Sequence, residues 1–147
     1  MRYRDVASGL LLMLIVATAV VASPYQQTAA AERRAATLEH GESILAGVEM
    51  PASIPIADLI ADPEAYDGEL VQVEGVIVAL CQNMGCWASL DDGQGNQVNV
   101  KVEDGVIDLR EITETEHYMV AEGVFQAVGE HGVQVFIMEH GAVVSTE

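Results

Sequence analysis

Basic residues are nearly missing from this chain after position 40. From Gly41 to Glu147 only Lys101 and Arg110 carry positive charge, against 20 Asp and Glu, a formal charge of −18. Nucleic-acid binding draws its affinity from Lys and Arg on phosphates, so this composition excludes a DNA- or RNA-binding role. The carboxylates are scattered rather than run together, which makes the acidity a property of a domain surface and not of a tail. Other absences narrow the chemistry further. There is no phosphate loop, no dinucleotide fingerprint, no nucleophile elbow and no H-E-x-x-H pair. Asp91 to Asn96 is not a calcium loop, because Gln94 and Gln97 stand where a ligand and a glycine are required. The four histidines, His40, His117, His131 and His140, show no metal-ligand spacing. No enzyme motif remains, and a non-enzymatic protein is expected.

The longest apolar run is also short. Arg2 and Arg4 precede an uncharged stretch from Val6 to Ala31, of which Gly9 to Val21 is apolar except for Thr18. A basic start, a short apolar run and small residues behind it read as a secretory signal. Ala22 and Ala31 are both candidate cleavage points. The run falls slightly short of the roughly 20 residues that span a bilayer, so cleavage is favoured over an uncleaved inner-membrane anchor. The expectation is a periplasmic or otherwise exported protein that meets the membrane only through residues 1–31. Residues 32–50 read as a linker, in which Glu32 to Leu38 offers a short helical turn and Gly41 and Gly47 break any long helix, and residues 51–147 read as one domain.

Within that domain the apolar period changes along the chain. Ile56 to Ile60 has helical spacing and stops at Asp62-Pro63. From Leu70 the period is two. Strands are predicted over Leu70–Leu80, Cys86–Leu90, Gln97–Val102, His117–Val128 and Val133–Met138, with Ala142–Val144 adding a last pairing. Gly75 and Gly123 interrupt two of them, as bends or bulges do. Five strands with an irregular segment between the third and fourth predict an all-β fold: a small five-stranded OB-like barrel with a short helix before it.

Only two cysteines occur, five positions apart, in Cys81-Gln82-Asn83-Met84-Gly85-Cys86-Trp87. If Gln82–Gly85 form a four-residue hairpin loop, the cysteines oppose one another across the ladder, within disulfide reach. Export makes a Cys81–Cys86 disulfide the simplest expectation. As a clasp it contributes only about 2 kcal/mol, because the loop it closes is short. Two other readings stay open. Cys81 and Cys86 with the Met84 thioether offer a soft site suited to copper as Cu(I), and Met138 and His140 are candidates to complete it if the barrel brings them near. Alternatively the two cysteines cycle between thiol and disulfide, although C-x4-C lacks the spacing of the usual low-pKa redox motif. Metal or small-ligand binding is preferred over redox because no group in the local sequence stabilises a thiolate. Trp87 is a candidate rim residue for a small ligand. The partner is expected to be an envelope protein or a small ligand, with no nucleic acid.

Gly75 to Trp87, followed by Leu90-Asp91-Asp92-Gly93 and Val98 to Val102, resembles the bacterial exported domain-of-unknown-function family 4920. The resemblance covers roughly residues 51–128, and Cys81, Gly85, Cys86 and Trp87 are its specific part. It implies an OB-like barrel in the cell envelope and no established activity. Glu103 to Glu116, acidic here, departs from the family pattern.

Overall fold

The computed structural model describes residues 23–129 and 132–146. The apolar run of residues 9–21 and His131 therefore lie outside the described residues. The first element is a helix, α1 (Pro24–His40), which runs through the position at which the sequence reading divides leader from linker. Its start is specified locally. Ser23 caps it by accepting from the Gln26 amide, the Gln26 side chain accepts from the Ser23 amide, and Pro24 occupies the first turn. Among the described residues no helix is long and apolar enough to cross a membrane.

Among the described residues six strands follow, in the chain order β1 (Glu42–Leu45), β2 (Leu70–Leu80), β3 (Trp87–Asp91), β4 (Gln97–Lys101), β5 (Tyr118–Gly129) and β6 (Gly132–Val144). β1 is a correction to the five-strand expectation. It lies in the segment read as a linker, and its four residues between glycines are too few to show a period. Two short helices, α2 (Ile56–Ala61) and α3 (Pro63–Tyr66), precede β2. Leu109–Glu111 forms a single 3-10 turn.

The pairings close on themselves. β2 pairs with β3, β3 with β4 and β5 with both β2 and β6, all antiparallel, while β4 and β6 run parallel. The result is a barrel-like ring, with β1 added antiparallel to the far half of β6. Alternate residues point inward: Val71, Val73 and Ile77 from β2, Ala88 and Leu90 from β3, Val98 and Val100 from β4, Phe125 from β5, and Val135 and Ile137 from β6. Burying each large side chain contributes roughly 1.5–3 kcal/mol. α2 adds Ile56 and Leu59 to this core, and Tyr66 of α3 meets Phe125 edge-on at 6.3 Å. Gly123 sits at a register shift between β5 and β6, where a Cβ would stand 2.3 Å from the Phe136 carbonyl oxygen. Only glycine permits that approach.

The outward face of β2 is covered by a polar seam rather than by apolar side chains. Arg34 of α1 donates to Glu74, to Ser53 Oγ (2.6 Å) and to Gln72 Oε1 (2.6 Å). Gln72 Nε2 donates to the Met50 carbonyl at 2.8 Å. Glu122, directly opposite Gln72 on β5, accepts from the amides of Glu49 (2.9 Å) and Met50 (2.7 Å). The helix and the 49–53 segment are thus fixed to the barrel by hydrogen bonds to buried groups.

Candidate functional site

The cysteine turn sits between β2 and β3, and its geometry depends on one extra residue. Val76 opposes Asp91 and Ile77 opposes Leu90, but Ala79 opposes Ser89 and Leu80 opposes Ala88. Val78 is therefore a bulge, and the register beyond it moves by one. Without it Cys81 would face Cys86. With it Cys81 falls opposite Trp87, whose carbonyl accepts from the Cys81 amide at 3.0 Å. The sequence reading placed the interruption at Gly75, which instead keeps its register and lies close against Asp91. Cys86 is left in the turn, outside β3.

The two cysteines are consequently neighbours but not a bonded pair. Both are free thiols, 8% and 5% exposed, and Cys86 donates to the Cys81 sulfur with the two sulfurs 3.6 Å apart. The expected disulfide is not formed in the structure, where the shifted register leaves the two sulfurs near one another but unbonded. A bond would require the sulfurs to close by about 1.5 Å to the usual 2.05 Å.

The turn makes the two thiols unequal. The backbone amides of Met84 and Cys86 point at the Cys81 sulfur and outweigh its burial; the Cys86 thiol and the Asn83 amide assist, and the Cys81 pKa falls from 9.0 to about 7. Burial pushes the Cys86 thiol up, with Cys81 and the Asp104 carboxylate adding to the rise and Lys101 opposing it. This corrects the premise that no group near the pair stabilises a thiolate. The stabilising groups are main-chain N–H donors, which side-chain identities do not announce.

A strap formed by residues 101–111 holds the turn. Arg110 Nη1 donates to the Gln82 carbonyl at 2.5 Å, and its guanidinium is held by Asp108 through Nε at 2.8 Å and Nη2 at 2.5 Å. The Leu109 amide donates to the Gly85 carbonyl at 2.9 Å and the Val102 amide to the Cys86 carbonyl at 3.0 Å. Gly85 has φ +63°, and a Cβ there would meet Asp108 Oδ1 at 1.9 Å. Glycine is thus required both by its left-handed backbone and by the strap lying against it. Lys101 pairs with Asp104 at 2.9 Å beside Cys86.

The remaining candidates fall elsewhere. Met84 is in the turn and 47% exposed, while Met138 is partly buried against the core. His140 faces Glu122, with Nδ1 3.8 Å from Oε1, in the polar seam. Among the described residues no three His, Cys, Asp or Glu side chains are grouped to hold a metal ion. Trp87 packs partly against the core and lines a shallow groove of about 470 Å3 with Ala79, Ser89, Gln97 and Asn99.

No family model matches the chain, and no curated protein matches it. Among solved structures it is similar to a chain from Leishmania major Friedlin assigned as an aspartyl-tRNA synthetase, at 14% identity and a TM-score of 0.45. That match covers 78% of this chain and 26% of the other, so the present chain spans about a quarter of that protein's length.

Proposed function

We propose that this chain is an exported OB-like barrel of the cell envelope, of the kind seen in domain-of-unknown-function family 4920, and that it handles thiols through Cys81 and Cys86. The observation that carries the reading is the asymmetry of the pair. One sulfur is cradled by amides with its pKa near 7, and the other is held protonated 3.6 Å away. A nucleophilic thiol with a pKa near ambient pH, next to a second thiol, suits disulfide exchange.

The chemistry balances as follows. The Cys81 thiolate attacks one sulfur of a partner disulfide. The Cys81–partner bond forms, the partner's S–S bond breaks, and the departing thiolate takes a proton from water. The Cys86 thiol then loses its proton to solvent and its sulfur attacks Cys81 Sγ. The Cys81–Cys86 bond forms and the second partner sulfur leaves and is protonated. The protein has lost two electrons and the partner disulfide has become two thiols; the reverse sequence oxidises the partner.

Soft-metal binding is the second reading, favoured by one observation: the same two sulfurs share a turn with the exposed thioether of Met84. Cu(I) would take those ligands. Equilibration in thiol–disulfide buffers, followed by intact mass, separates the readings. A reversible loss of two daltons with a midpoint above about −300 mV supports exchange. A midpoint below that value marks a structural clasp. Thiols that stay reduced and retain copper against a competing chelator mark the metal site.

A further inference from the structure

The charges around the thiol pair are arranged in a way that the exchange reading alone does not use. From Gly75 to Leu90 there is no Asp, Glu, Lys or Arg, so the turn itself is uncharged. Both cations of residues 41–147, Lys101 and Arg110, lie in the strap beside it. Each is already engaged inside that strap, Lys101 by Asp104 at 2.9 Å and Arg110 by Asp108 at 2.5 Å. Glu103 and Glu111 are exposed on the same segment. Two cations against Glu103, Asp104, Asp108 and Glu111 leave the strap at −2, within a domain at −18. Met84, an apolar residue of the turn, is 47% exposed.

Two effects compete for an incoming partner. The nearby cations attract an anion at short range, but their field is largely cancelled by carboxylates within 3 Å. The domain charge acts over the Debye length, roughly 10 Å at 0.1 M salt, and the strap's own −2 adds to it. Fields of this kind change association rates by roughly 10- to 1000-fold. Resting on the thiol reading, we infer that the partner exchanging with Cys81 is a basic polypeptide, presenting its cysteine or disulfide from among Lys and Arg and setting an apolar neighbour on Met84.

Three small disulfides test the charge argument on the purified, reduced protein: cystamine (dication), 2-hydroxyethyl disulfide (neutral) and 3,3′-dithiodipropionate (dianion). Exchange rates are followed by mass as ionic strength is raised from 10 to 500 mM. Reading each reagent against its own salt dependence removes differences in intrinsic reactivity. The cystamine rate is expected to fall roughly tenfold, the dithiodipropionate rate to rise, and the neutral rate to stay level. The double variant Glu103→Gln/Glu111→Gln should reduce the cystamine effect by a factor of two or more. A disulfide-linked peptide flanked by lysines should then exceed cystamine in rate at equal ionic strength, and its glutamate-flanked counterpart should lag. A dithiodipropionate rate that falls with salt would show that Lys101 and Arg110 dominate, and would overturn the inference. So would identical salt responses for all three reagents, and a lysine peptide no faster than cystamine would remove the polypeptide. If no reagent reacts with the folded protein while all react after unfolding, the thiol reading itself fails and this inference falls with it.

Discussion

Gly85→Ala is the most direct perturbation of the turn. The residue has φ +63°, where an L side chain costs about 1–2 kcal/mol of backbone strain. The new methyl would also stand 1.9 Å from Asp108 Oδ1 and 3.0 Å from the Leu109 nitrogen. The carboxylate can rotate away, since it is the end of a side chain. The amide cannot, because Leu109 N–H is bonded to the Gly85 carbonyl at 2.9 Å. A total loss of about 2–3 kcal/mol follows from strain plus that one weakened hydrogen bond. Chemical denaturation measures it. The functional consequence is separable. Displacing Asp108 frees Arg110 from its position on Gln82, and the amides of Met84 and Cys86 lose their aim at Cys81. The Cys81 thiol should then titrate well above 7, as read from the pH dependence of alkylation by iodoacetamide under native conditions. A folded Gly85→Ala protein whose Cys81 still titrates near 7 would refute the claim that the amide cradle sets its acidity.

Three further outcomes follow from the same geometry. Arg34→Met removes donors to Ser53, Gln72 and the Glu74 carboxylate, and because those groups are only partly shielded the cost should be about 3 kcal/mol by urea unfolding, while Arg33→Met on the exposed side of α1 should stay within about 0.5 kcal/mol. Burial resists ionisation of Glu122, yet the Met50 and Glu49 amides, Gln72 and His140 together hold its carboxyl below the ordinary range, so its stabilisation is present above the usual carboxylate pKa and is lost as pH falls through the lower folded value. Glu122→Gln should cost about 2 kcal/mol at neutral pH and flatten the acid limb of the stability–pH curve. Cys81 behaves in the same sense at higher pH: its folded pKa of about 7 lies below 9.0, so reduced protein should gain stability from pH 7 to pH 9 and lose it as pH falls through 7, and Cys81→Ser should remove that slope.

The barrel strands were legible in the sequence because each buries one face, and a period of two is all that such a strand needs to show. β2 through β5 lie within one residue or so of the predicted ranges, whereas β6 runs unbroken from Gly132 to Val144, joining the predicted Val133–Met138 strand to the last pairing at Ala142–Val144. Of α1 only a short turn at Glu32 to Leu38 is legible from residue type, although Ser23-Pro24 and Gln26 are a capping signal for the whole helix; the small, polar residues from Ser23 to Thr28 read as part of the leader. Its anchor was beyond reach, since Arg34 finds Gln72 and Glu74 some 40 positions away. At the candidate site the sequence supplied the residues and missed their relation. A single bulge at Val78 decides which residue faces Cys81, and no residue type marks it. The donors that acidify Cys81 are main-chain groups, identical in every sequence, and only the path of the turn aims them.

The parallel contact of β4 with β6 has a consequence for how the molecule is made. Val100 cannot find Val135 until the intervening strand has been laid down, and β1 cannot find its place until Gly141 to Val144 exist. A nascent chain therefore carries β2, β3 and β4 as an open meander with an unsatisfied edge until β6 has been made. Closure joins strands far apart in sequence, so the entropy of drawing them together precedes the contacts that reward it. Folding in milliseconds to seconds, rather than microseconds, is the expected time scale, and the open β4 edge is where a holding chaperone or an unwanted second chain would pair.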